Sequence, residues 1–270
     1  MWGLRGGEKG CNFAGKIRVL FERMEFNHYT PDDRMVSLIA DNYELIAVLS
    51  RFGIKMGFGD STVSEVCRAQ GVDCRTFLSV VNFISDGNVV TSDTEDISPR
   101  SLLRYLSSSH AYFLDYCLPA IRRKLLDGIE LRTSDVSFLI IKFFDEYTRE
   151  VRTHMEYEEK TVFTYVSDLL ENRLTPDYKI NTYSDHHEQV ADRLKELKGI
   201  IIKYCPESAD ANLLNAALYD IYRTERELES HCLIEDCLLV PAIKRLEREI
   251  TGVDKDETES GNNTTGKGVR

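Results

Sequence analysis

A surplus of basic charge is missing from this chain. Its 270 residues carry 34 lysines and arginines against 45 aspartates and glutamates, a formal net charge of −11. A general binder of nucleic acid or of anionic membranes needs a basic footprint, so this balance argues against both classes. No apolar run approaches the roughly 18 residues of a membrane span. Met1 to Gly15 holds charge and glycine but no apolar core of a secretory signal. The seven cysteines (Cys11, Cys67, Cys74, Cys117, Cys205, Cys232 and Cys237) include no Cys-x-x-Cys pair, which argues against a zinc ribbon or a thioredoxin-type motif. Reduced thiols in a cytoplasm are the expectation.

Proline is also scarce, at six, and strand signals are few. What is present is apolar residues at three-and-four spacing over long stretches, which predicts an all-α protein. After a loose extension over 1–34, a small helical domain is expected over 35–85. It begins with a helix from Met35 to Ile54, striped by Leu38, Ile39, Tyr43, Ile46 and Leu49. Gly53, Gly57 and Gly59 then break the pattern. Asp60-Ser61-Thr62 offers a cap for a short helix through Cys67, and Gly71 separates that from a helix over Cys74 to Ile84. Residues 86–100 read as a linker. Four long helices follow within 101–250, near Ser101–Leu126, Ser134–Glu171, Tyr183–Tyr204 and Ala209–Ile250. Short connections make neighbours antiparallel, so an up-down-up-down four-helix bundle is expected. Residues 251–270 are polar and predict a disordered tail.

Five of the six histidines fall in the bundle, with at least one on each helix. Two have a glutamate four residues on, His154 with Glu158 and His231 with Glu235, so each pair shares one helix face. Both pairs lie on apolar stripes. Ile140, Phe144, Tyr147 and Val151 lead to the first; Leu214, Ile221 and Leu228 lead to the second. An inward glutamate costs several kcal/mol unless something cationic meets it, and no lysine or arginine on these stripes does so. His110 lies among Leu103, Leu106, Leu114, Cys117 and Ile121, and His187 leads to Ala191, Leu194, Leu197 and Ile201.

Spacing connects them. His110 to His187, His154 to His231 and Glu158 to Glu235 are each 77 positions apart, as two helical hairpins about a pseudo-twofold axis would require. This favours His187 over His186, which is turned about 100° around the helix. Four imidazoles and two carboxylates are too many for one zinc, and no thiolate joins them. Two carboxylate-bridged irons with two histidines each fit the count, with manganese or a mixed pair as the chemical fallback.

The order His, His-x-x-x-Glu, His, His-x-x-x-Glu over 101–250 resembles the hemerythrin-like domain. It is especially similar to the iron–sulfur cluster repair di-iron proteins, the RIC family. Glu158-Glu159-Lys160 with Val162-Phe163 resembles that family's Glu-Glu-Lys-x-Leu-Phe-Pro run, with Thr164 in place of the proline; Pro241 and Pro119 match two other expected prolines. The run from Phe52 to Asp60, Thr62-Val63-x-Glu65-Val66-Cys67 and Gly71-Val72-Asp73 resemble the family's short N-terminal domain. Gly57-Phe58 stands where a Cys-Cys pair is usual. The resemblance implies a cytoplasmic protein with two irons in an oxo- and carboxylate-bridged centre. It would support restoration of iron–sulfur clusters damaged by nitric oxide or oxidative stress, by releasing iron or by binding or reducing nitric oxide. Nitric oxide, dioxygen and iron–sulfur proteins are its implied partners. Reversible dioxygen carriers of the wider family use five histidines, so four inward ones favour repair or sensing.

Two alternatives compete with that reading: a dioxygen-binding or sensing protein, and a transcription regulator using Thr62 to Ile84 as a helix-turn-helix. Against the second, Cys74–Ile84 offers only Arg75 as a base-contacting cation, and its Phe77, Leu78, Val80, Val81 and Phe83 look like packing residues. Tyr147, Tyr165, Cys117, Cys232 and Cys237 are expected to pack in the bundle. His28 is expected to be exposed, and Glu156 and Glu159 solvated.

Overall fold

A computed structural model describes residues 28–86, 97–129, 135–173, 180 and 188–251. The extension before His28, most of the 86–100 linker and the tail after Thr251 lie outside the described residues. The chain divides into two compact units, Met1–Asp96 and Ile97–Arg270. Among the described residues there is helix throughout and no strand, only an isolated bridge between Arg34 and Thr62.

The first unit holds α1 (Met35–Asp41), α2 (Leu45–Arg51), α3 (Val63–Gln70) and α4 (Cys74–Asp86). The single helix expected over Met35–Ile54 is two. Asn42 leaves the helix at φ −142°, and its side-chain oxygen accepts from the Glu44 N–H at 3.1 Å, offering the backbone an alternative to another helical turn. The break turns Tyr43 and Ile46 out to solvent, while Leu38, Leu45 and Leu49 are buried. Thr62 caps α3 with a full capping box to Glu65, and Gly71 ends it at φ +68°, a left-handed conformation that suits glycine. On α4, Phe77, Leu78, Val80, Val81 and Phe83 are all buried. The unit also draws in residues before Met35: Tyr29 is buried and its N–H donates to Asn82 at 2.8 Å, while His28 is exposed.

The second unit is a four-helix bundle. Its first helix, α5 (99–128), runs through Pro99–Ala111, a π-helical turn at Tyr112–Cys117, and Leu118–Gly128. The next, α6 (135–170), is Asp135–Tyr157, a π turn at Glu158–Phe163, and Thr164–Leu170. After α7 (Glu188–Tyr204), α8 (211–251) comprises Ala211–Ile234, a π turn at Glu235–Leu239, and Val240–Thr251. Paired side chains set the register. Moving along α5 from His110 to Cys117 to Lys124, the partners on α8 step back from His231 to Thr224 to Asp220, so these helices are antiparallel. His110 with Glu159 and Arg122 with Asp145 show the same for α5 and α6. At the far end, a Cβ on Gly128 would sit 3.1 Å from Leu213 Cβ, so glycine permits the close approach of α5 to α8. The core between these ends is lined by Phe113, Ile121, Phe144, Tyr147, Leu197 and Ile221 among others.

The π turns have local causes. Pro119 and Pro241 each follow one, and a proline lacks the N–H that would close a regular turn. In α6 the corresponding position is Thr164, whose hydroxyl donates to the Glu159 carbonyl at 3.2 Å. No described helix is long and apolar enough to cross a membrane.

Candidate metal centre

The three π turns lie beside the candidate ligands. One starts two residues after His110, and the others start at Glu158 and Glu235 themselves. Such single-turn widenings recur at functional sites. Here they occur where the inward stripes carry polar groups.

His110, Glu158, His231 and Glu235 each offer a ligand atom, and these atoms lie within 4.8 Å of one another. All four residues are buried, the two glutamates completely. His110 and His231 face each other through Nε2 atoms 3.1 Å apart. Glu158 spans two histidines, with one oxygen 3.3 Å from His110 Nε2 and the other 3.0 Å from His154 Nε2. Glu235 lies 3.3 Å from His231 Nε2. His154 is therefore attached to the cluster through Glu158 rather than gathered into the group of four. His187 and His186 both lie outside the described residues, and the choice between them stays as spacing left it.

Electrostatics make this a demanding place for protons. Burial alone would depress the His110 imidazole. Hydrogen bonds to Glu158 and Glu159, with the fields of Glu158 and Glu235, outweigh it and lift it to about 9. Glu159 is not the solvated charge expected from the sequence but is partly buried against His110. Its oxygen lies 3.0 Å from His110 Nδ1 and accepts from the Ser107 hydroxyl at 2.7 Å. These bonds, His110 first, hold its carboxyl below the usual range. Phe163 stacks on His110 with ring centroids 5.3 Å apart, and Phe113 meets His231 edge-on at 6.0 Å. Ser107, Glu159, Phe113 and Phe163 were not singled out by spacing as parts of a site. The acidic doublet Glu158-Glu159 was the one available signal. Glu156 is solvated as expected and pairs with Lys160 at 2.8 Å.

The donor set fits a metal. Two imidazole nitrogens on one first-row ion at about 2.1 Å lie roughly 3.0–3.4 Å apart, the separation His110 and His231 already have. Two fully buried carboxylates with imidazole partners are otherwise a costly way to fill a core. The mix of nitrogen and carboxylate oxygen, without thiolate, suits iron or manganese.

Comparison with known proteins agrees. The model of the hemerythrin HHE cation-binding domain matches residues 101–243, more than half of the chain, and the chain belongs to that family. No curated protein matches the chain.

Proposed function

We propose that this is a cytoplasmic non-haem di-iron protein that supports repair of iron–sulfur clusters damaged by nitric oxide or oxidative stress, by releasing iron or by binding or reducing nitric oxide. The observation that carries the di-iron part is the arrangement of Glu158, with one oxygen toward His110 on α5 and the other toward His154 on its own helix. A carboxylate so placed suits a bridge between two ions. In this reading His110, His154, His231, Glu158 and Glu235, with His187 from the 77-residue spacing, would hold the ions. A bridged iron pair supplies one-electron chemistry and open positions for small diatomic ligands.

The protein's own groups do the rest. Glu159 fixes the His110 ring so that Nε2 points inward, and Phe163 and Phe113 wall the histidines and keep bulk water away. The repair assignment draws on the likeness of the Glu158-Glu159-Lys160 run and the N-terminal segment to the RIC proteins. The buried apolar face of α4 weighs against the DNA-binding alternative.

The test is anaerobic. Iron-loaded protein is mixed with an iron–sulfur enzyme inactivated by nitric oxide, and recovery of its activity is followed. Recovery that Glu158→Ala and Glu235→Ala abolish is expected. No recovery, together with a stable, reversible dioxygen adduct of the reduced protein, overturns repair in favour of oxygen binding.

A further inference from the structure

The three widened turns of the bundle are closed in two different ways. In α5 and α8 a backbone amide makes the long bond to the carbonyl five residues back: the Leu118 N–H donates to Phe113 and the Val240 N–H to Glu235. In α6 the Thr164 N–H goes instead to the Thr161 carbonyl, three residues back. The carbonyl five residues back, that of Glu159, accepts the Thr164 hydroxyl at 3.2 Å. Other hydroxyls on these helices reach a shorter way. Those of Thr148, Thr153, Ser167 and Thr224 donate to the carbonyl four residues back, at 2.7–2.9 Å, as a regular helix allows. Thr164 thus makes with its side chain the bond that α5 and α8 make with the main chain.

Its position has a counterpart. The 77-residue spacing carries Thr164 onto Pro241, which has no N–H and whose ring does not fit a regular turn. Proline enforces the widening in α8. Threonine imposes no such constraint, so without its hydroxyl bond α6 is free to tighten into ordinary register.

The α6 turn grips one imidazole. Glu158, Glu159 and Phe163 all lie within it, and all three meet His110. A Glu158 oxygen is 3.3 Å from Nε2, a Glu159 oxygen is 3.0 Å from Nδ1, and Phe163 stacks on the ring at 5.3 Å. A shift of one residue turns a side chain about 100° around a helix, so these contacts do not survive tightening of the turn.

We infer that Thr164 is a positioning residue of the metal centre: its hydroxyl, bonded to the Glu159 carbonyl, holds the α6 turn in the widened register in which Glu158 and Glu159 both reach His110. The inference rests on the metal reading of the site. Thr164 touches none of the ligand atoms and acts through the two glutamates.

The experiment compares Thr164→Val, Thr164→Ser and Thr164→Pro with wild type in the full chain, with circular dichroism as the check on helicity. Two readouts are taken. In the metal-free protein, nuclear magnetic resonance follows the His110 imidazole N–H that donates to Glu159, identified by its loss in His110→Gln. Separately, anaerobic competition for ferrous iron against a chelator gives affinity, and the oxidised samples give the ferric absorption. Thr164→Val keeps the shape and loses the hydroxyl. Its His110 N–H signal is expected to weaken, its ferric absorption to shift, and its iron affinity to fall about three- to tenfold, the range that one hydrogen bond supplies. Thr164→Ser keeps the hydroxyl and should match wild type. Thr164→Pro loses the hydroxyl but imposes the widening as Pro241 does, so it should fold and bind iron like wild type, although proline inside a regular helix is strongly destabilising. A Thr164→Val protein with the wild-type His110 signal and iron affinity overturns the inference and leaves the metal reading intact. So does a Thr164→Pro protein as impaired as Thr164→Val. Wild type that takes up no iron overturns the metal reading, and the inference with it.

Discussion

Replacing Glu159 by alanine removes the acceptor that fixes His110 without touching any proposed ligand. His110 Nδ1 is 3.0 Å from the carboxylate, which is itself held by Ser107 at 2.7 Å. A hydrogen bond to a charged group contributes about 1.5–3 kcal/mol when both partners are buried. Glu159 is 39% exposed while His110 is 4% exposed, so solvent screening reduces this to about 1–1.5 kcal/mol. Since about 1.4 kcal/mol is tenfold in an equilibrium constant, Glu159→Ala should weaken iron affinity roughly tenfold. Glu159→Gln keeps an acceptor oxygen and should cost only a few-fold. Ser107→Ala should cost about two- to three-fold alone and nothing further in the Glu159→Ala background, because it acts through Glu159. The assay is anaerobic competition for ferrous iron against a chelator of known affinity, with the ferric absorption spectrum recorded alongside. Wild-type affinity and spectrum in a well-folded Glu159→Ala would refute the reasoning, since His110 would then not need orienting.

Three further outcomes rest on the same structure. In the metal-free protein His110 is lifted from an ordinary 6.5 to about 9, so the stability it confers is fully present below pH 6.5 and is lost as pH rises through about 9. The shift corresponds to about 3 kcal/mol; urea midpoints across that range should fall in wild type and not in His110→Gln. Glu235→Gln should abolish bound metal in elemental analysis, yet leave the metal-free protein no less stable to urea, because a carboxyl group at 0% exposure is costlier to bury than the amide of the same shape. Thr62→Ala removes the capping box of α3 and should cost about 1 kcal/mol, read as an earlier unfolding of the first unit.

The bundle was legible because its helices are long and one-sided. Stripes such as Ile140, Phe144, Tyr147 and Val151 recur often enough to set both helix and face, and all four are buried. The 77-residue repeat pointed to a shared centre, and the structure brings His110, Glu158, His231 and Glu235 together there. Less was legible where one residue decides. Asn42 splits the expected first helix through a single side-chain hydrogen bond that periodicity does not register. A π turn adds one residue to a helix whose apolar stripe continues on either side, so the widening at Glu158–Phe163 leaves little trace in the pattern. Glu159 reads as a solvated charge because it neighbours a ligand candidate in sequence; only the approach of α5 gives it His110 and Ser107 as partners.

The central claim is a bridged pair of irons, and counting them tests it most directly. Protein purified anaerobically and reconstituted with ferrous iron should hold about two irons per chain and, once oxidised, show the absorption of an oxo-bridged ferric pair. His231→Ala and Glu158→Ala should each lose that absorption while remaining helical. A folded wild-type chain that takes up no iron, or takes up one iron without the bridged spectrum, would contradict the account.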